Sequence, residues 1–253
     1  MKYNDYRSIY DNLRRPKDIY DLSEKLGLDE ELLDVLYTQR TVRETTRIFY
    51  KVKNQGYRLI KEWKSGNSLL KIAKKWHFSP ILTGLFIFQE MGHSKKYFWS
   101  CVRNPEDIGD PRLRNEIIQI TNADFVYSPW ASEKQYQRGV WGEDLLQEWL
   151  DEQDISYRTE KDLRGEFPKT PDCLFDKPMN LNGWEIHWIE SKATFGDNVE
   201  IKKNIKRQLG PYVNLFGRGL VVYWFGFLDD FEGPENIIIT DDRILKWKFG
   251  TKS

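Results

Sequence analysis

Cysteine and histidine are both scarce in this sequence. Its 253 residues include two cysteines, Cys101 and Cys173, and three histidines. Two cysteines cannot form a disulfide framework or a cysteine-rich zinc site. Three histidines also make a zinc hydrolase site unexpected. The chemistry of the chain is therefore expected to come from other side chains.

Long apolar runs are missing as well. No stretch reaches the roughly 18 apolar residues that suggest a membrane-spanning helix. The first residues, MKYNDYRSIYDNLRRPKD, lack the apolar segment of a signal peptide. We therefore expect a soluble, intracellular protein with no membrane partner. It would be cytoplasmic, and nuclear as well if the source is eukaryotic.

Net charge is also missing, although the charges are unevenly spread. The chain has 39 basic and 39 acidic residues. Ten Lys or Arg stand against two Glu from Arg43 to Trp76, whereas eleven acids stand against four bases from Glu143 to Asp176. This pattern fits a protein that binds a polyanion in one region and a metal ion in another. Solvated helix faces would explain it equally well.

Apolar spacing predicts an all-α domain over residues 1–135. Apolar residues recur at three and four positions in DIYDLSEKLGLDEELLDVLYTQ and in SLLKIAKKWHFSPILTGLFIFQEMG. Each segment predicts a helix-turn-helix pair, and a basic helix over about residues 43–63 separates the two. Ser79 is an expected N-cap, and Pro80 suits the first helical position. Residues 97–135 are rich in Pro, Asp and Ser, which predicts an irregular connection around one short helix.

The pattern changes after residue 135, and residues 136–253 predict an α/β domain. EKQYQRGVWGEDLLQEWLDEQ predicts an amphipathic helix. Three strands are predicted at ISYRTEKDL, TPDCLF and WEIHWIESKA. A basic helix over about residues 198–209 follows them, and GLVVYWFGFL then predicts a fourth strand. DKPMNLNG is expected to be a turn cluster between the second and third strands. The order helix, three strands, helix, strand indicates an α/β layer with a mixed sheet.

The third predicted strand carries two charged residues that a buried strand would not normally contain. Because side chains alternate along a strand, Glu190 and Lys192 share one face of it. Strand pairing would bring the carboxylate of Asp172 beside Glu190. Two carboxylates and a lysine on one sheet face suit Mg²⁺ or Mn²⁺ and the hydrolysis of a phosphodiester. A structural ion pair is the alternative explanation.

Pro171-Asp172 followed by Glu190-Ser191-Lys192 resembles the PD-(D/E)xK nuclease superfamily. The resemblance implies a restriction-endonuclease-like αβββαβ core with an N-terminal all-α helix-turn-helix domain. It also implies that Asp172, Glu190, the Ser191 carbonyl and Glu143 bind the metal. The sequence resembles the TPD-motif family more closely than it resembles the superfamily as a whole. This closer resemblance rests on the segments KTPDCLF, IHWIESKATFGD and GRGLVVYWFGF.

Two further residues follow from the same resemblance. Gln208 and Tyr212 are spaced as in the RecB-like branch of the superfamily. Residues four apart on one helix share a face, which would let both reach the scissile nucleotide. Gly210-Pro211 lies between them and predicts a helix break. Gln208 is nevertheless included among the candidate catalytic residues.

Basic residues in the N-terminal half are the candidate nucleic-acid contacts. The helix PILTGLFIFQEMG is almost entirely apolar, so we expect it to pack in the core rather than to read base edges. Phosphate contacts are expected instead from Lys51, Lys53, Arg58, Lys61, Lys71, Lys74 and Lys75.

The sequence thus predicts a Mg²⁺- or Mn²⁺-dependent nuclease, with DNA favoured over RNA as its substrate. The alternative is a non-catalytic nucleic-acid-binding or adaptor protein on the same fold. A transcription regulator is disfavoured by the apolar helix. The preferred strand structure, endo- or exonuclease action, the oligomeric state (a homodimer included) and any protein partner stay open.

Overall fold

The computed structural model describes residues 1–250, which form two compact units. One unit, here called the sheet unit, combines residues 1–36 with the chain from Gln137 onward. The other, the helical unit, consists of residues 37–136. The sequence instead predicted a single division at residue 135. The structure therefore differs for residues 1–36, which it assigns to the sheet unit.

The helices have the following bounds: α1 Tyr3–Asn12, α2 Lys17–Leu26, α3 Glu30–Lys53, α4 Gly56–Lys64, α5 Leu69–Trp76, α6 Pro80–Glu90, α7 Lys95–Arg103, α8 Pro111–Ala123, α9 Pro129–Asp151, α10 Asn198–Asn204 and α11 Gly210–Phe216. A π-helical segment, Ile205–Leu209, joins α10 to α11, and short 3-10 turns occur at Pro105–Asp107 and Asp242–Lys246. Within residues 1–250, no helix is both long enough and apolar enough to cross a bilayer.

Helix α6 lies at the centre of the helical unit. Ser79 caps its start by accepting a hydrogen bond from the Leu82 N–H at 3.1 Å, and Pro80 takes the first helical position, as predicted. The Ser79 hydroxyl also donates to Asp124 at 2.5 Å. Residues along the length of α6, including Ile81 and Phe88, are buried. The expectation that this helix packs in the core is therefore confirmed.

The predicted irregular connection over residues 97–135 is wrong. The segment contains most of α7, all of α8 and the start of α9. Its Pro and Asp residues begin helices rather than interrupt them. Pro111 is the first residue of α8, and Asp110 caps it by accepting the Arg112 N–H at 2.8 Å.

The sheet has five strands in the order β1-β2-β3-β4-β5, with bounds β1 Arg158–Thr159, β2 Cys173–Leu181, β3 Trp184–Lys192, β4 Gly219–Tyr223 and β5 Ile237–Thr240. β1, β2 and β3 pair antiparallel, whereas β3, β4 and β5 pair parallel. The mixed sheet that the sequence predicted is confirmed. β5 was not predicted.

The turn cluster predicted over DKPMNLNG is only partly correct. β2 continues to Leu181, with a register irregularity between Leu174 and Met179 that the turn-forming residues occupy. The turn itself is limited to Asn182-Gly183, where both residues have positive φ, 50° and 83°. An Asn-Gly pair is the usual two-residue connection of a hairpin.

The two faces of the sheet bury different helices. Leu146, Trp149 and Leu150 of α9 pack against one face. Residues of α10, the π-helical segment and α11, including Ile201, Leu209 and Tyr212, form a core on the other face. Trp188 lies in this second core, and its ring covers Gly219, where any Cβ would lie about 2.0 Å from the indole. This second face carries the charged residues of β3.

Residues 1–36 join the sheet unit through specific contacts. The Tyr6 hydroxyl donates to Asp197 at 2.6 Å, and the Tyr6 ring stacks on Phe195. Arg138 of α9 donates to Glu31 at 2.8 Å and also pairs with Asp34, both in α3. These long-range contacts explain why the helical pattern of residues 1–36 did not reveal the unit to which they belong.

Candidate active site

Glu190 and Lys192 lie on the same face of β3 and form a close ion pair. The Lys192 ammonium donates to Glu190 Oε1 at 2.5 Å. Glu190 is 1% exposed, whereas the Lys192 side chain keeps 20% of its surface accessible. The carboxylate is therefore inside the protein, and the lysine lies between it and solvent.

Asp172 reaches the same place from the position just before β2. The pairing of Cys173 with Ile189 sets Asp172 opposite Glu190. The Asp172 N–H donates to Glu190 Oε2 at 3.3 Å, and the Ser191 N–H donates to Asp172 Oδ2 at 2.7 Å. The backbone of two adjacent strands thus fixes both carboxylates.

Burial makes both carboxylates costly to ionise, and Glu190 is also repelled by Asp172. Burial, followed by repulsion from Asp172, raises the pKa of Glu190, and Lys192 only partly offsets this. Burial also raises the pKa of Asp172. For Lys192, burial lowers the pKa, but attraction to Glu190 and Asp172 outweighs it, and the net pKa is raised. The lysine is therefore held as an ammonium.

Gln208 and Tyr212 extend the site on the helical side. The Gln208 amide donates to Glu190 Oε1 at 2.6 Å and to the Tyr212 hydroxyl at 2.8 Å. The Tyr212 hydroxyl in turn donates to the Thr170 carbonyl at 2.6 Å, just before Pro171-Asp172. This chain of hydrogen bonds links α11 to both strands of the site.

The helix break predicted at Gly210-Pro211 is wrong. The π-helical segment Ile205–Leu209 leads directly into α11, and Pro211 stands in the first turn of α11. A proline at the start of a helix costs no intrahelical hydrogen bond. Gln208 and Tyr212 consequently remain on one face, four residues apart.

Glu143 approaches the site from α9, on the other side of the sheet. It forms no hydrogen bond or ion pair within residues 1–250. Partial loss of hydration, followed by repulsion from Asp172 and Glu160, nevertheless raises its pKa. Gly142 permits this approach, because a Cβ there would lie 2.6 Å from the Trp224 ring. Trp224 donates to the Ser191 hydroxyl at 2.8 Å, so the serine side chain faces α9.

The residues of the site suit a hard divalent cation in their chemistry. Their oxygen donors are the kind that Mg²⁺ and Mn²⁺ prefer, and Asp172 Oδ1 accepts no hydrogen bond from residues 1–250. One ammonium does not compensate two buried carboxylates, as their raised pKa values indicate. Among the described residues, however, no three Asp, Glu, His or Cys side chains are already arranged around a common ion position.

The predicted phosphate-contacting residues all lie in the helical unit. Most of them are exposed and lack an ion-pair partner within residues 1–250. Lys75 differs, since it pairs with Glu62 at 3.0 Å. Arg58 donates to the neighbouring Tyr57 hydroxyl at 2.8 Å. The exposed set is Lys51, Lys53, Arg58, Lys61, Lys71, Lys74 and Lys75.

The sequence interpretation missed Glu160, in the turn after β1, which acts electrostatically on Asp172, Glu143 and Tyr212. It predicted the basic helix over about residues 198–209 but gave its basic residues no role at the site. The exposed side of α10 and the π-helical segment carries these residues next to Gln208; they are Lys202, Lys203, Lys206 and Arg207.

Comparison with known proteins gives one family. A family model described as "Protein of unknown function TPD sequence-motif" matches residues 109–243. "CDAN1-interacting nuclease 1" of Mus musculus and of Homo sapiens are each 34% identical over 172 residues, or 65% of this chain and 61% of the relative. The Danio rerio protein of that name is 34% identical over 198 residues, or 75% of this chain and 65% of the relative. The chain therefore spans less than two thirds of the length of these relatives. No solved structure matches it.

Proposed function

The chain belongs to the TPD-motif family, and from this premise we propose that it is a metal-dependent nuclease that hydrolyses phosphodiester bonds, with DNA as the favoured substrate. The name of the relatives contains the word nuclease. The observation that carries the proposal is the convergence of Asp172, Glu190, Lys192 and Gln208 on one buried sheet face. Buried charges are costly, and their concentration at one place is typical of functional sites.

The proposed core fold is that of the PD-(D/E)xK nucleases. The supporting observation is the element order α9-β1-β2-β3-α10-β4, with β1 to β3 antiparallel and β4 parallel to β3. The acidic residues stand just before β2 and on β3, and the π-helical segment after α10 supplies Gln208.

Four groups are proposed to hold a Mg²⁺ or Mn²⁺ ion: the carboxylates of Asp172, Glu190 and Glu143, and the Ser191 carbonyl. When bound, such an ion supplies a Lewis acid and a water molecule of lowered pKa. It would also supply the positive charge that the two buried carboxylates lack. Among the three carboxylates, Glu143 is the one whose side chain no hydrogen bond or ion pair within residues 1–250 holds in place.

Lys192 and Gln208 are proposed to act through the groups they contact. The Lys192 side chain keeps 20% of its surface accessible beside the buried Glu190, so a phosphate placed on this face would meet its ammonium. Its role is to stabilise negative charge on the scissile phosphate. The Gln208 amide orients Glu190, and Tyr212 holds the amide in place.

The helical unit is proposed to grip the nucleic-acid backbone through its exposed lysines and arginine. Such contacts hold the substrate without reading its sequence. Helix α6 is buried along its length, so any helix-turn-helix element would act through phosphate contacts around it. The basic residues of α10 would serve the same purpose in the sheet unit.

A specific observation favours the second candidate function, a non-catalytic nucleic-acid-binding or adaptor protein. Lys192 and Glu190 already satisfy each other, and residues 1–250 contain no ready group of three metal-binding side chains. The name of the relatives also includes interaction with CDAN1. We assign no surface of this chain to such a partner.

Cleavage of labelled nucleic acids separates the two candidates. Purified protein is incubated with Mn²⁺ or Mg²⁺ and with single-stranded, duplex, flap and junction substrates of DNA and RNA. The nuclease proposal requires cleavage of at least one substrate, and Asp172→Ala must remove that cleavage while leaving substrate binding unchanged. Binding without cleavage of any substrate, or equal cleavage by the Asp172→Ala variant, would favour the adaptor.

A further inference from the structure

Two tyrosines in the helical unit expose large aromatic surfaces among basic residues. Tyr50, near the end of α3, is 72% exposed. Arg47 and Lys51 lie three residues before it and one residue after it, and both are exposed as well. Arg47 and Lys51 are four residues apart, so the three side chains share one face of the helix.

Helix α4 repeats this combination. Tyr57 is 55% exposed. The Arg58 guanidinium lies 5.6 Å from the centre of the Tyr57 ring and donates to its hydroxyl. Lys61 and Lys64 follow Tyr57 at four and seven residues, so they continue its face along the helix. Both helices therefore present a tyrosine ring with cations one turn or less away.

A single exposed aromatic residue needs no explanation, since such residues are common on protein surfaces. The surroundings distinguish this pair. Between Arg47 and Lys64 the chain has one acidic residue, Glu62, which accepts hydrogen bonds from Trp76 and Lys75. Glu90 of α6 lies against Gly56 and is the acidic side chain next to α4. Tyr20, in the sheet unit, is similarly exposed at 60%, but Asp21 and Glu24 are its close neighbours on α2.

We propose that Tyr50 and Tyr57 form a stacking surface for unpaired bases, so that the helical unit binds a single-stranded segment of nucleic acid. This inference rests on the proposed function and narrows its substrate class. Exposed aromatic rings stack on any base, and neighbouring lysines and arginines neutralise the phosphates between bases. A duplex cannot use such a surface, because its bases already stack on one another. The cationic surroundings fit a polyanion and no neutral partner.

Equilibrium binding without catalysis tests the inference. Full-length protein in EDTA is titrated into a labelled single strand of about 20 nucleotides, long enough for a typical single-strand site, and into the matching duplex. The variants are Tyr50→Ala/Tyr57→Ala and Tyr50→Phe/Tyr57→Phe, and Tyr20→Ala is the matched control. Each titration is repeated over a range of salt concentrations.

We expect the wild type to prefer the single strand, and the double alanine variant to lose about tenfold in affinity for it per tyrosine removed. Affinity for the duplex should change less than about twofold, and the salt dependence should stay the same, because no phosphate contact is lost. The phenylalanine variant and Tyr20→Ala should bind like the wild type.

Three results would overturn the inference: an unchanged single-strand affinity in the alanine variant, an equal loss on single strand and duplex, or the same loss with Tyr20→Ala. None of these measurements needs cleavage. An absence of cleavage with Mg²⁺ and Mn²⁺ would therefore count against the nuclease proposal alone, and a preserved preference for single strands would still support the stacking surface.

Discussion

Replacing Lys192 with methionine separates the structural role of this lysine from its proposed catalytic role. The change keeps an unbranched apolar stem of similar length, with sulfur in place of one methylene, and removes the ammonium. In the metal-free protein, it leaves the Glu190 carboxylate buried at 1% exposure with Gln208 and the Asp172 N–H as its hydrogen-bond donors. Loss of one partner of a buried ion pair commonly costs about 3–5 kcal/mol.

Protonation of Glu190 limits the cost in this protein. Neutralising a carboxyl group with an ordinary pKa of 4.5 at pH 7 costs at most about 3.4 kcal/mol, at about 1.36 kcal/mol per pH unit. At pH 9 the same limit is about 6.1 kcal/mol. Burial raises the pKa of Glu190 to about 8 in the folded state, so the stability that this group contributes is present below its unfolded-state pKa and is lost as pH rises toward 8. Lys192 lowers this pKa and Lys192→Met removes that effect, so the penalty of the substitution must grow from pH 7 to pH 9.

Urea unfolding in EDTA, followed by tryptophan fluorescence, measures this penalty at both pH values. Lys177→Met is the matched control, because Lys177 is an exposed lysine on β2, and surface substitutions usually change stability by less than about 0.5 kcal/mol. Single-turnover cleavage with Mn²⁺ and a binding titration complete the set. Lys192→Met should cut cleavage by about 10²–10³-fold and leave binding nearly unchanged.

Two results would refute this reasoning. A stability penalty that is the same at pH 7 and pH 9 would mean that Lys192 does not favour the ionised form of Glu190. Wild-type cleavage by Lys192→Met would reduce the lysine to a structural partner of Glu190. The double variant Glu190→Gln/Lys192→Met adds a check, since it should recover stability without recovering cleavage.

Three further predictions use other parts of the molecule. Calorimetric titration with Mn²⁺ should show binding that Asp172→Ala largely abolishes, and equal affinity in both proteins would contradict the proposed metal site. A second variant changes three exposed lysines of α5 to glutamate: Lys71, Lys74 and Lys75. It should bind all nucleic-acid sequences more weakly to the same degree, and its affinity should depend less on salt. A loss of affinity for one sequence alone would instead indicate base readout. Gly142→Ala should destabilise the sheet unit by about 1–3 kcal/mol in urea unfolding, because its Cβ would overlap the Trp224 ring, and an unchanged midpoint would show that α9 can shift.

Local patterns in the sequence were enough to predict several elements. The Ser79-Pro80 start of α6 follows from capping chemistry, which involves only neighbouring residues. The shared face of Glu190 and Lys192 follows from the two-residue period of a strand. The hairpin spacing between Asp172 and Glu190 then suggested their contact, and the structure brings the two together. Each of these inferences depends on a short stretch of backbone with a regular period.

Other features depend on contacts that no local pattern contains. Residues 1–36 look like any other amphipathic helices, and only bonds such as Tyr6 to Asp197 assign them to the sheet unit. Strand β5 is four residues long and is defined by its parallel pairing with β4. The prolines of residues 97–135 appeared to break helices, but capping and packing make them helix starts.

The site around Glu190 also combines features that local sequence patterns predict with features that only tertiary contacts set. The sequence determined that Asp172, Glu190 and Lys192 come together, because they stand at fixed positions on or next to two strands that pair. Only the tertiary structure decided that Gln208 reaches Glu190 and that Tyr212 reaches Thr170. The π-helical segment keeps both residues on one face despite Gly210-Pro211. That geometry depends on how the helix packs against the sheet, and such packing is not encoded in any single local period.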